Sequence, residues 1–129
     1  TLQGDSEAVA QAVARIHDSN CAPQFYNNEQ ALRATVRYAY ITCIDQYSKI
    51  EELPSGHGYA DIVYIPQKRS SLPAMIIELK WNKTADGAIA QIKDRNYPAV
   101  LQDLSTELLL VGLNYDEKTK LHSCVIEEF

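Results

Sequence analysis

Two short apolar runs that read as buried strands carry charges in their middle, and this limits the folds open to the chain more than any other feature. The runs are Tyr59 to Ile65 and Ala74 to Trp81, with Asp61 in the first and Glu78-Leu79-Lys80 in the second. Side chains alternate across a strand, so Glu78 and Lys80 share one face while Met75, Ile77, Leu79 and Trp81 share the other. Asp61 shares its face with Tyr59, Val63 and Ile65. The segment between the runs, Pro66 to Pro73, is polar and bounded by prolines, which predicts an antiparallel hairpin with a longish loop. That pairing sets Asp61 beside Glu78. Two converging carboxylates repel unless a cation lies between them, and Mg²⁺, which takes a few carboxylate oxygens and keeps several waters, suits the place. Lys80 would then reach the water or phosphate held there. The alternative is an ordinary exposed hairpin face on which Glu78 and Lys80 merely pair. Against it, Ile76, Ile77 and Leu79 surround the charge and predict a central strand, where a carboxylate needs a partner.

At 129 residues the chain has the size of one domain with a single packed core. A hydrophobic content of 46% with 22% charged residues is that of an ordinary globular protein. Neither a run of membrane-spanning length nor a signal peptide is present in the sequence, so a cytoplasmic protein without membrane partners is expected. The first residues are Thr1-Leu2 rather than methionine, which suggests a piece of a longer chain: an N-terminal helix and loop over 1–26, then a core over 27–127. Cys21, Cys43 and Cys124 lack the paired spacing that holds zinc and read as free thiols. The net charge of −5 argues against a lysine-coated duplex binder. It leaves nucleic acid open, because carboxylates in a site count in that sum and bound metal would offset them.

Asp5 to Asp18 reads as an amphipathic helix with Val9, Val13 and Ile16 on one stripe and Asp5 or Ser6 as cap. His17, near its end, suits the helix dipole better than a ligand role. After a loop from Asn20 to Asn28, a second helix is predicted from Glu29 to Tyr47, with Leu32, Val36, Tyr40, Cys43, Ile44 and Tyr47 as its apolar stripe. Glu29 is either a first-turn carboxylate favoured by the dipole or a third acidic group of the site. Ser48 to Leu53 is predicted as a strand, and Pro54 to Gly58 as a tight turn in which His57 is a turn residue or a substrate contact. A helix from Ala88 to Tyr97 should bury Ala88, Ile89 and Ile92 and place Gln91 and Arg95 together near the end of the Glu78 strand. Those two either face solvent or orient a water or phosphate. Glu107 to Leu113 is the most apolar run and predicts a buried strand parallel to its neighbour. A charged turn over Asn114 to Lys120 then leads to an edge strand, Leu121 to Ile126.

This order of helix, three-strand meander, helix and strand, with Asp in the second strand and Glu-x-Lys in the third, resembles the PD-(D/E)XK nuclease superfamily. Asn28-Glu29-Gln30-Ala31-Leu32-Arg33, Gly56-His57-Gly58-Tyr59-Ala60-Asp61, Ile77-Glu78-Leu79-Lys80-Trp81 and Ala88-Ile89-Ala90-Gln91-Ile92-Lys93 followed by Tyr97 are similar to the C-terminal nuclease-like domain of bacterial AAA-ATPase-like proteins. The resemblance covers roughly Asn27 to Glu127. It implies an α/β, restriction-endonuclease-like αβββαβ core with a mixed central sheet of about five strands flanked by helices. By the same resemblance Asp61, Glu78 and the Leu79 carbonyl would hold Mg²⁺ or Mn²⁺, and Glu29 would help. Lys80 would orient or activate water and stabilise charge on the phosphate, and Gln91 matches the polar residue of the following helix. Ala60 stands where the motif usually has proline, a change that leaves metal ligation intact. An N-terminal ATPase-like domain would precede this one.

The expectation is therefore a metal-dependent nuclease with Asp61, Glu78, Lys80 and Gln91 as its catalytic set. Lys83, Lys93, Arg95 and Tyr97 are candidates for substrate binding. DNA is ranked ahead of RNA, and a homodimer is a candidate assembly because many enzymes that cut both strands are dimers. The rival is a nuclease-fold module that binds nucleic acid or a protein and cuts nothing, favoured by the acidic charge and the lack of a basic stripe. Hydrolysis of a small phosphate ester is a third reading.

Overall fold

Period-two alternation in the central runs builds a five-stranded sheet among the residues described in the computed structural model, which are 1–20, 29–41, 45–55, 58–68, 70–94 and 107–129. The elements are α1 (Ser6–Asn20), α2 (Glu29–Ala39), β1 (Tyr47–Ser55), β2 (Gly58–Pro66), β3 (Ala74–Trp81), α3 (Ala85–Asp94), β4 (Leu108–Asp116) and β5 (Leu121–Glu128). The strands lie in sequence order, β1-β2-β3-β4-β5. All neighbours are antiparallel except β3 and β4, which run parallel. The mixed sheet, the meander of its first three strands, the parallel fourth and the edge position of β5 agree with expectation.

Alternation sorts the core into two layers. Ile62, Tyr64, Met75, Ile77, Leu79, Leu109, Val111, Leu113 and Tyr115 meet Val9 and Val13 of α1 and Leu32 and Val36 of α2. On the other face Val63, Ala74, Ile76, Leu108 and Leu110 meet Ile89 and Ile92 of α3. β3 is covered on both faces, which is why it reads as a nearly continuous apolar run. Asp5 caps α1 by accepting the Ala8 N–H at 3.0 Å, while the Ser6 hydroxyl accepts the Ile126 N–H at 3.0 Å and ties the helix to β5.

β1 extends through Pro54 and Ser55 of the predicted turn, α1 and β5 each run two residues past their predicted ends, and three further boundaries shift by more. The second helix ends at Ala39 rather than Tyr47, and Tyr47 opens β1, paired with Pro66. Leu32, Val36 and Tyr40 are buried as predicted, and Tyr47 is buried too, but from a strand. Its ring meets Tyr64 edge-on and its hydroxyl donates to the Pro73 carbonyl at 2.8 Å, so full-length pairing with β2 overrides the helical period. The third helix starts at Ala85, not Ala88, because the Thr84 hydroxyl accepts the Gly87 N–H at 2.9 Å and caps it. β4 continues through Asn114 and Tyr115 to Asp116, where a turn was predicted; Tyr115 pairs with both Trp81 and His122. The turn itself is closed by Asp116, whose carboxylate accepts the Lys118 and Thr119 N–H groups at 2.9 and 3.1 Å. The Thr119 bond leads in drawing the Asp116 carboxyl below its usual range. Asn20, predicted as the start of a loop, closes α1; the rest of that loop, 21–28, the stripe residues Cys43 and Ile44, and His57, Arg95 and Tyr97 lie outside the described residues, as do Cys21 and the side chain of His17. None of the described helices is long and apolar enough to cross a membrane.

Gly112 controls how closely α3 approaches the sheet. A Cβ there would lie 2.4 Å from the Ala85 carbonyl oxygen and 3.1 Å from the side chains of Ala88 and Ile89. The obstacle is backbone, so Gly112→Ala should push α3 outward and cost about 1–3 kcal/mol in a urea unfolding experiment. Cys124 is the free thiol among the described residues, and burial pushes its pKa up to about 12. Since the thiolate is the nucleophile, iodoacetamide at neutral pH should leave Cys124 unmodified in the folded chain and alkylate it in denaturant, read by peptide mass mapping.

Candidate functional site

The two strands that carry the charges part company at the charges. The β2–β3 ladder runs from Tyr64↔Met75 to Ile62↔Ile77. Continued by one pair, it would set Asp61 opposite Glu78. Instead Asp61 turns its carboxylate into the opening, where Oδ2 accepts the Leu79 N–H at 2.8 Å. That amide belongs to the peptide joining Glu78 to Leu79, so both acidic residues abut one peptide unit. A backbone donor that the ladder leaves over is satisfied by the acid of the neighbouring strand.

The second oxygen of Asp61 is taken from across the molecule. Arg33 Nη2, on α2, donates to Oδ1 at 2.6 Å, with the two side chains only 16% and 19% exposed. Arg33 lies between the buried Leu32 and Thr35, and Arg37, one turn on, meets Glu51 of β1 at 3.3 Å. Residues four apart share a helix face. Together they fasten α2 to the first two strands.

Glu78 and Lys80 point to the α3 face, as alternation requires. Glu78 is 3% exposed and lies in register with Gly112. Because Gly112 lets α3 come close, Gln91 reaches both charges: its Nε2 donates to Glu78 Oε1, and its Oε1 accepts from Lys80 Nζ. The amide thus links the two charged groups, donating to one and accepting from the other. Buried ionic groups persist only when bonded in this way.

Among the expected site residues, Asp61 accepts the Leu79 N–H and Gln91 bonds both Glu78 and Lys80. Glu29 opens α2 one turn before Arg33, and its side chain lies outside the described residues. Lys83 follows β3 with an exposed side chain, its N–H donating to the buried Asn114 Oδ1 at 2.9 Å. Lys93 turns away from Gln91 and pairs with Glu127 of β5. Sequence reasoning assigned no role to Arg33 or Asn114. Arg33 sat within a quoted segment, but nothing local announces a partner 28 positions away. Asn114 was assigned to a turn.

Within the chain Arg33 pairs with Asp61, and the Gln91 amide links Glu78 to Lys80. Among the described residues no group of three His, Cys, Asp or Glu side chains converges. The donors present are still suited to Mg²⁺ or Mn²⁺: two carboxylates and the Leu79 carbonyl are all hard oxygens, and such ions complete their shells with water. Each Asp61 oxygen accepts one described hydrogen bond, which leaves lone-pair capacity on both.

No curated protein sequence matches the chain. A solved structure described as a repair endonuclease from Pyrococcus abyssi is similar, with 18% identity and a TM-score of 0.44 over 70% of this chain; the chain covers 38% of that protein. The family model for the PD-(D/E)XK nuclease superfamily matches residues 27–124. That span takes in Arg33, the parted strands and the helix bearing Gln91, and by it the chain belongs to the PD-(D/E)XK nuclease superfamily.

Proposed function

We propose that the chain is a metal-dependent nuclease whose working groups are Asp61, Glu78, Lys80 and Gln91. The observation that carries this reading is the buried Glu78, bonded through Gln91 to Lys80 and sharing a peptide unit with Asp61. A carboxylate and an ammonium held together in the central strand of a sheet carry a desolvation cost that apolar residues would avoid, and membership of a nuclease superfamily supports a working role for them.

Asp61, Glu78 and the Leu79 carbonyl would hold Mg²⁺ or Mn²⁺, and Glu29 is a further candidate ligand. When bound, the ion lowers the pKa of a water and polarises the phosphate. Gln91 orients the Lys80 ammonium. Lys80 holds the attacking water and stabilises negative charge as the new P–O bond forms and the P–O bond to the leaving nucleotide breaks. Preorganised donors of this kind contribute on the order of 10²–10³ in rate. Lys83, Arg95 and Tyr97 are candidates to follow the phosphate backbone, with DNA the first substrate to try. An ATPase-like domain earlier in a longer chain would belong with such an enzyme.

A second reading has one observation in its favour. Since Arg33 and Lys80 balance the two carboxylates, the network can stand as a stable polar cluster in a module that binds nucleic acid without cutting it. Metal binding and turnover separate the two.

With single- and double-stranded DNA and RNA and either Mg²⁺ or Mn²⁺, the wild-type chain should cleave, and Lys80→Ala should be slower by about 10²–10³. Lys80→Ala should retain the metal affinity of the wild type. Asp61→Asn and Glu78→Gln should lose metal binding by calorimetry. Unchanged affinity in Asp61→Asn would remove Asp61 from the ligand set, and metal binding without cleavage of any substrate would favour the binding module.

A further inference from the structure

Arg33 occupies the position that a metal ion would contest. We infer that its guanidinium is the resident counter-ion of Asp61, which a divalent cation must displace from the carboxylate, so that Arg33 sets the metal affinity of the site. The inference rests on the reading of Asp61 as a metal ligand and goes beyond it by naming the group that opposes binding.

The placement of Asp61 does not depend on Arg33 alone. Oδ2 is anchored to the Leu79 N–H, which belongs to the framework of β3, while Arg33 holds Oδ1. What Arg33 adds is positive charge at 2.6 Å on a largely buried carboxylate. A guanidinium does not lose its proton in a protein, so this charge is present at every working pH. Like charges around one carboxylate repel, most strongly where water is scarce. A divalent ion arriving at Asp61 therefore meets a cation already in contact with that carboxylate. The arginine stem rises from α2 between Leu32 and Thr35, both buried, and carries the guanidinium to Asp61.

The test compares Mn²⁺ binding by calorimetry in wild type, Arg33→Gln, Arg33→Lys and Arg37→Gln. Arg37 is the control, since it lies one turn away and pairs with Glu51. Arg33→Gln should bind Mn²⁺ more tightly by about tenfold or more. Arg33→Lys keeps the charge and should stay near wild type, as should Arg37→Gln. Metal-free Arg33→Gln should melt below wild type, with the gap closing at saturating Mn²⁺. A readout on the wild-type chain stands even if Arg33→Gln does not fold: saturating Mg²⁺ should shift the Arg33 guanidinium resonances in an NMR titration and leave those of Arg37 in place. Equal or weaker Mn²⁺ binding in Arg33→Gln, or an Arg33 signal indifferent to Mg²⁺, would overturn the inference while leaving the metal site intact, provided that wild type binds and Asp61→Asn does not. Absence of binding in wild type would overturn both.

Discussion

The parting of β2 from β3 just beyond Ile62 and Ile77 is the constraint on which the rest of the site depends. Two antiparallel strands that stayed paired would consume the Leu79 amide in the ladder and leave Asp61 as one more side chain on a face. By separating there, they leave a donor to be satisfied and a gap in which to satisfy it. Asp61 enters the gap from one strand, and α2 sends Arg33 to meet it from the far layer. The opening is a hydrogen-bonding problem solved by an acid, and the solution gathers charge at one place.

The other half of the site depends on how near α3 can stand. Gly112 presents no side chain beneath Ala85, so the helix start rests directly on β4. Two turns along, Gln91 is then close enough to bond Glu78 and Lys80 at once. The left-handed backbone at Asn82 (φ 57°) turns the chain from β3 toward the Thr84 cap. Asn82 also accepts the Glu117 N–H at 2.9 Å, while Asn114 holds Lys83, so the short connection is pinned to β4 and to the following turn. The connection can be short because its polar groups are bonded on both sides.

Asp61 and Glu78 were legible because a strand has a period of two, and a charge at a buried position stands out against its neighbours. Lys80 and Gln91 were legible as residue types on the right face, though the amide bridge between them was not. The length of α2 was misjudged for a related reason: Tyr40 and Tyr47 are seven apart, which suits a helical stripe as well as a helix followed by a strand. Only the pairing of Tyr47 with Pro66 decides between them. Asn114 looked like a turn residue because its type favours turns, and it is buried in a strand instead because Lys83 gives its side chain a partner.

Local alternation, turn chemistry and helix caps are properties of a few consecutive residues, and they determined the β2–β3 hairpin, the edge strand and the face on which Glu78 and Lys80 lie. The electrostatic state of the site was decided by the tertiary structure alone. Arg33 and Asp61 are 28 positions apart, and their ion pair exists because α2 packs its Leu32 and Val36 stripe on the sheet and so brings a guanidinium to an opening between two strands. Coulomb interaction depends on distance in space, and sequence spacing does not carry it across the fold.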